Sequence, residues 1–202
     1  MITTALTAAA VYVATGIEYL VILILLFSQM KAGQAKHIWI GQYLGTAIII
    51  AGSLVVALGI TWVVPAGWVL GLLGLIPLYL GIKIWIKGGE DEDESDILSL
   101  FGSRRPSLLF LTVTLIVLSS SADDFSIYIP YFTALSLMEI LVASIVFFIM
   151  VAVLCFVSYR LANINFVSEK IEQYERWIVP IVFIGLGIFI MIENGTFTAL
   201  FQ

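Results

Sequence analysis

Between Thr3 and Gln29 the only charged side chain is Glu18. A helix needs about 20 mainly apolar residues to cross the hydrocarbon core of a bilayer, and the chain holds six stretches of that kind. They run from about Thr3 to Gln29, His37 to Val64, Trp68 to Lys87, Ser107 to Phe132, Leu137 to Arg160 and Trp177 to Phe197. Lipid offers no hydrogen bonds, so each run must close its own backbone bonds as a helix. Charged residues make up 11% of the chain, against roughly 25% in soluble domains. The fold class expected is therefore an all-α membrane protein with six transmembrane helices and little mass left for a soluble domain. No Lys or Arg precedes the first run, and that run exceeds the apolar core of a signal peptide, which identifies it as a retained first span.

The connections give an orientation. Lys31 and Lys36 lie in the first link, Lys83, Lys87, Arg104 and Arg105 flank the third, and Arg160, Lys170 and Arg176 flank the fifth. All the basic residues thus fall on one side, which the positive-inside rule makes cytoplasmic, and both termini face out. The link from Glu90 to Asp96 carries six acids in seven positions and reads as a solvated linker. Ser168 to Arg176 reads as a capped helical lead-in, with Ser168 at the N-cap and Glu172 four residues before Arg176.

The halves resemble each other. A shift of 105 positions sets Thr15 against Ser120, Glu18 against Asp123 and Phe27 against Phe132, and a shift of 106 sets Leu80-Gly81-Ile82 against Leu186-Gly187-Ile188. Three helices per unit is an odd number, so the two units must insert with opposite orientation. The expected organisation is one membrane domain of two inverted three-helix repeats, 1–89 and 107–198, joined by an acidic linker at 90–106. Inverted repeats sharing a site at mid-membrane are a mark of secondary transporters.

Three acids lie in the apolar runs: Glu18 in the first, Asp123 and Asp124 in the fourth. An ionised Asp at mid-span costs roughly 2.5–3.5 kcal/mol on insertion scales, so such acids usually face a polar interior and bind or move something. Carboxylates brought together there repel, and a divalent cation relieves the repulsion. The plain alternative is that the acids stay protonated and hydrogen-bond between helices. Thr15, Ser120 and Ser121 supply hydroxyls just before the acids in each half, and Gln42, Tyr43 and Thr46 form a polar stripe beside Gly41 and Gly45. That stripe reads equally as support for the site and as a packing face. Pro130 lacks an N–H, so the carbonyl of Ser126 loses its helical partner, which predicts a kink or break there. Adjacent helical residues point about 100° apart, so Asp123 and Asp124 face one point only if the helix breaks. Cys155, Glu139, Glu193 and His37 read as structural rather than ligating, and Lys83 reads as reaching for the inner interface. Neither a phosphate-binding loop nor a serine nucleophile paired with a histidine base is present, so the chain reads as neither an ATP-driven pump nor an enzyme.

Residues along nearly the whole length carry a family resemblance: Ala14-Thr-Gly-Ile-Glu18, Ile40-Gly-Gln-Tyr-Leu-Gly45, Gly71 to Ile82, Ser121-Ala-Asp-Asp124, Ile129-Pro-Tyr-Phe132, Tyr159-Arg-Leu-Ala162, Ile184 to Ile188 and Ile192-Glu-Asn194. With these the chain resembles the cadmium-resistance transporters of the CadD type, within the lysine-exporter superfamily. The resemblance implies a six-helix exporter of divalent cadmium driven by ion gradients in a bacterial plasma membrane. It needs no cofactor beyond the metal substrate and no nucleic acid, has lipid as its surroundings, and leaves a homo-oligomer open. The chain departs from the family at the acids, with Glu18 in place of Asp and Ser120-Ser-Ala-Asp-Asp124 in place of Cys or Gly followed by Gly-Ala-Asp-Asn. A harder, more acidic site favours zinc or manganese more than a thiolate site does. Glu18, Asp123 and Asp124, helped by Thr15, Ser120, Ser121, Gln42 and Tyr43, form the expected metal set. An organic cation caged by Tyr19, Tyr43 and Tyr128 is the second transporter reading, and a membrane sensor the third.

Overall fold

The computed structural model describes residues 1–30, 33–63, 67–87, 109–120, 124–162 and 168–196. The acidic linker, Ser121 and Asp123, and the side chains of Glu18 and Ser120 lie outside the described residues. Among the described residues the regular structure is helical. The elements are α1 (Ile2–Gln29), α2 (Ala35–Val63), α3 (Gly67–Gly71) running through a 3₁₀ turn (Leu72–Gly74) into α4 (Leu75–Lys87), α5 (Leu109–Ser120), α6 (Asp124–Thr133), α7 (Leu137–Leu161) and α8 (Ser168–Glu193).

Two helices, Ala35–Val63 and Leu137–Leu161, are long and apolar enough to cross a membrane as they stand. Two further helix pairs are long and apolar enough if each bent pair counts as one span: Ile2–Ile17 meets Tyr19–Ser28 at 59°, and Leu109–Ser119 meets Asp124–Thr133 at 74°. The remaining apolar helices, Val69–Lys83 and Val179–Glu193, are shorter. The third run was expected as one helix, and the 3₁₀ turn at Leu72–Gly74 interrupts it. The lead-in from Ser168 is continuous with the last run in α8.

The fourth run breaks where Pro130 did not predict. Pro130 lies inside α6, and the 74° bend falls between Ser119 and Asp124. Ser-Ser-Ser-Ala-Asp-Asp is the stronger stop-and-start signal. Serine hydroxyls compete for local backbone groups, and an acid in the first turn of a helix complements its dipole. Asp124 occupies that first turn.

The helices are apolar outside, and a set of polar side chains is buried among the apolar core. Ile40, Leu44, Ile48, Val55, Leu58 and Trp62 of α2 and Leu141, Ile145, Phe148, Ile149, Val153 and Phe156 of α7 are exposed, while Thr15, Gln42, Thr46, Ser53, Asp124 and Ser158 are buried. In water such an apolar surface would drive association; in lipid it meets its proper solvent, and the polar groups are the ones that must turn inward.

Burial of apolar area gives helices little reason to associate in lipid, so close backbone approach at small residues carries the packing. α2 lies against α5, α6 and α7, α1 against α7 and α8, and α4 against α8. A Cβ at Gly41 or Gly45 would come within 2.6 Å of Val113 or Val117 on α5. The α4–α8 crossing is as tight. A Cβ at Gly81 would stand 2.9 Å from the Ile184 nitrogen and the Pro180 carbonyl oxygen, and one at Gly187 would stand 2.8 Å from the Leu78 nitrogen and 2.5 Å from the Gly74 carbonyl oxygen. An aromatic cluster joins α1, α6 and α7, with Tyr128 and Phe147 ring centroids 5.0 Å apart and Tyr12 and Phe147 5.5 Å apart. Glu139 sits at the start of α7. It caps α7 by accepting from the Ser136 backbone N–H at 3.0 Å and hydroxyl at 2.7 Å, and it also accepts from Thr4 at 3.1 Å.

Candidate metal site at the helix breaks

α1 and the α5–α6 pair both bend, and hydrogen bonds join α1 to α6 beside the bends. Tyr19, just past the α1 bend, donates its hydroxyl to Oδ2 of Asp124 at 3.0 Å. Four residues earlier on α1 the Thr15 hydroxyl lies 2.8 Å from that of Tyr128 on α6. Asp124 is only 5% exposed. Asp124 occupies the first turn of α6, where the helix dipole favours negative charge.

These residues line a cavity of about 10 Å³ together with Tyr12 and Gly16 of α1, Gln42, Thr46 and Ile49 of α2, and Val117 of α5. That is close to the space one water molecule or one dehydrated metal ion takes. Gln42 is 1% exposed, and its Oε1 has no hydrogen-bond partner among the described residues. A buried acceptor left without a donor costs about 1–3 kcal/mol, which a cation or a water in the cavity would offset. Tyr12 lines the cavity beside Gln42 and Thr46, so its phenol, the amide and the threonine hydroxyl share one wall. All the polar atoms described around the cavity are oxygens or amides, a donor set suited to hard and borderline cations.

Of the residues expected from sequence, Asp124, Thr15 and Gln42 come together in this cavity. Tyr43 goes elsewhere: its hydroxyl donates to the Phe148 carbonyl on α7 at 3.2 Å, and the two rings stack 6.2 Å apart. Cys155 is fully buried in the apolar core. Among the described residues no three His, Cys, Asp or Glu side chains gather at one point; the expected acid triad needs Glu18 and Asp123, which fall outside them as noted. The sequence reading missed Tyr12 altogether and gave Tyr19 and Tyr128 only to an aromatic cage. A signal was present, because Tyr12, Thr15 and Tyr19 recur at i, i+3 and i+7 and so share one face of a helix.

No curated protein and no solved structure matches the chain. A family model described as cadmium resistance transporter does match, over residues 12–202. That span takes in both bends, the cavity and every helix from the middle of α1 onward, and the chain belongs to the cadmium resistance transporter family.

Proposed function

We propose that the protein is a secondary transporter that exports a divalent heavy-metal cation, cadmium by family, in exchange for protons. The single observation that carries this reading is the buried Asp124 carboxylate beside the unpartnered Gln42 carbonyl in a cavity of about 10 Å³. Such a space suits a dehydrated ion better than an organic cation, and Tyr43, one of the three cage residues, packs on Phe148 instead. Glu18, Asp123 and Asp124 supply the charge, and Thr15, Ser120, Ser121 and Gln42 the neutral oxygens. Metal arriving from the cytoplasm displaces protons from the carboxylates, and protons arriving from outside release it.

The architecture we propose is six spans in two inverted repeats, 1–89 and 107–198, in a bacterial plasma membrane with both termini outside. Three observations support it. Ala143, Phe147, Val151, Cys155 and Ser158 of α7 are buried, and the residues 105 positions earlier, Ile38, Gln42, Thr46, Ile50 and Ser53, are buried on α2. The α4–α8 crossing reciprocates at a shift of 106: Gly81 meets Ile184 and Pro180 where Gly187 meets Leu78 and Gly74. The two bends fall at Glu18 and just before Asp124, corresponding places in the two halves.

Uptake of cadmium, zinc and manganese into inverted vesicles tests the function. An imposed acidic lumen should drive accumulation and a protonophore should abolish it. No uptake of any of the three metals under a gradient would overturn the exporter reading, and uptake indifferent to the gradient would remove the proton exchange. Orientation has its own test in a Cys155→Ser background. A cysteine at Ser136 should react with an impermeant maleimide in intact cells and one at Gln34 only after permeabilisation; the reverse pattern would invert the topology.

A further inference from the structure

The contact between Tyr19 and Asp124 spans 105 residues, the same shift that relates the halves, so each occupies in its own half the place the other holds. Two repeat-equivalent residues touch each other only where they lie close to the axis relating the repeats. A second pair of this kind, Tyr43 and Phe148, also stands 105 apart and in contact. The centre of the site is therefore asymmetric in chemistry, with a phenol from one half and a carboxylate from the other. Tyr19 is 5% exposed and lines the cavity beside Asp124.

From this we infer that Tyr19 is a positioning residue for the metal, its hydroxyl holding Oδ2 of Asp124 so that the other carboxylate oxygen is presented to the ion. An ionised carboxylate offers about four lone-pair sites over its two oxygens, so one that accepts from the Tyr19 hydroxyl keeps the capacity to ligate. Donors that orient ligating carboxylates typically contribute 10–100-fold to metal affinity. The phenol adds no charge, so the site keeps its carboxylate count while one carboxylate is fixed in direction across the bends of both halves. The inference rests on the proposed site and names a determinant within it.

The experiment is cadmium titration calorimetry on purified full-length protein in four forms: unmodified, Tyr19→Phe, Asp124→Ala and the double variant. Phe keeps the ring packing and removes only the hydroxyl. Tyr19→Phe should weaken binding about 10–100-fold. Made on top of Asp124→Ala, the same change should move the remaining affinity by less than about threefold, because the group it orients is gone. Binding by Tyr19→Phe within about threefold of the unmodified protein would overturn the inference. An equal loss with and without Asp124 would also overturn it, since Tyr19 would then act on its own account. Full affinity in Asp124→Ala would instead strike the proposed site, which keeps the two failures apart.

Discussion

Replacing Asp124 with Asn is expected to weaken cadmium binding by at least about 100-fold while leaving the protein folded. The amide keeps the size of the carboxylate and an oxygen for the Tyr19 hydroxyl, so the empty cavity loses no packing and no acceptor. What it loses is the negative charge that compensates a cation out of reach of water. Removing one partner of a buried charge pair costs about 3–5 kcal/mol, and every 1.4 kcal/mol is about tenfold in affinity. In a continuous helix Asp124 would point about 100° away from Asp123 and its loss would be mild. The 74° bend immediately before Asp124 removes that constraint, and a large effect is the result that the proposed site predicts. Thermal melts with and without metal check this on one sample. A ligand present at about 100 times its Kd adds about 2.7 kcal/mol to the stability of the form that binds it, so cadmium should raise the melting point of the unmodified protein and leave that of Asp124→Asn unchanged. A metal-induced rise of equal size in both would overturn the role of Asp124.

Gly187→Val should cost the fold most among single changes at the α4–α8 crossing, whereas Gly185→Val, two residues away on the same helix, should cost almost nothing. A Cβ at Gly187 would meet the Gly74 carbonyl oxygen at 2.5 Å and the Leu78 nitrogen at 2.8 Å, and at Gly185 nothing lies within 4 Å. The obstructing atoms at Gly187 are backbone, which cannot turn aside as a side-chain rotamer can, so the two helices must separate. Overpacking typically costs 1–3 kcal/mol and sometimes more. With apolar burial adding little between helices in lipid, the lost contacts have no compensation. An apparent melting point lower by roughly 10 °C, or a loss of monodisperse protein in detergent, is the expected result for Gly187→Val, from about 2–4 °C per kcal/mol at this chain length. Equal behaviour of the two valine variants would show that the crossing is not where the bundle is held.

The acids and the helical runs were legible in the residues, because each is a local property. A run such as Leu137 to Arg160 must be a helix wherever it sits in lipid, since nothing else there can satisfy its backbone. Asp124 stands out in such a run by its charge alone. Which face of each helix turns inward was not legible. Helices in lipid are apolar all round, so the pattern that marks the buried face of a helix in water is missing. Tyr43 follows Gln42 directly in the same polar stripe, yet Gln42 faces the cavity and Tyr43 packs on Phe148. In the sequence Tyr12 is one aromatic among many, yet it lines the cavity with Gln42 and Thr46. The position of the break was misread at Pro130 because a missing N–H is a strong local signal, while the bend before Asp124 answers to the start of α6 and its contacts with α1 and α2. The sequence by itself determined which stretches are apolar helices and where charge enters them. The tertiary structure alone decided which oxygens meet that charge, since in a bilayer contacts at small residues, rather than hydrophobicity, set how each helix is turned.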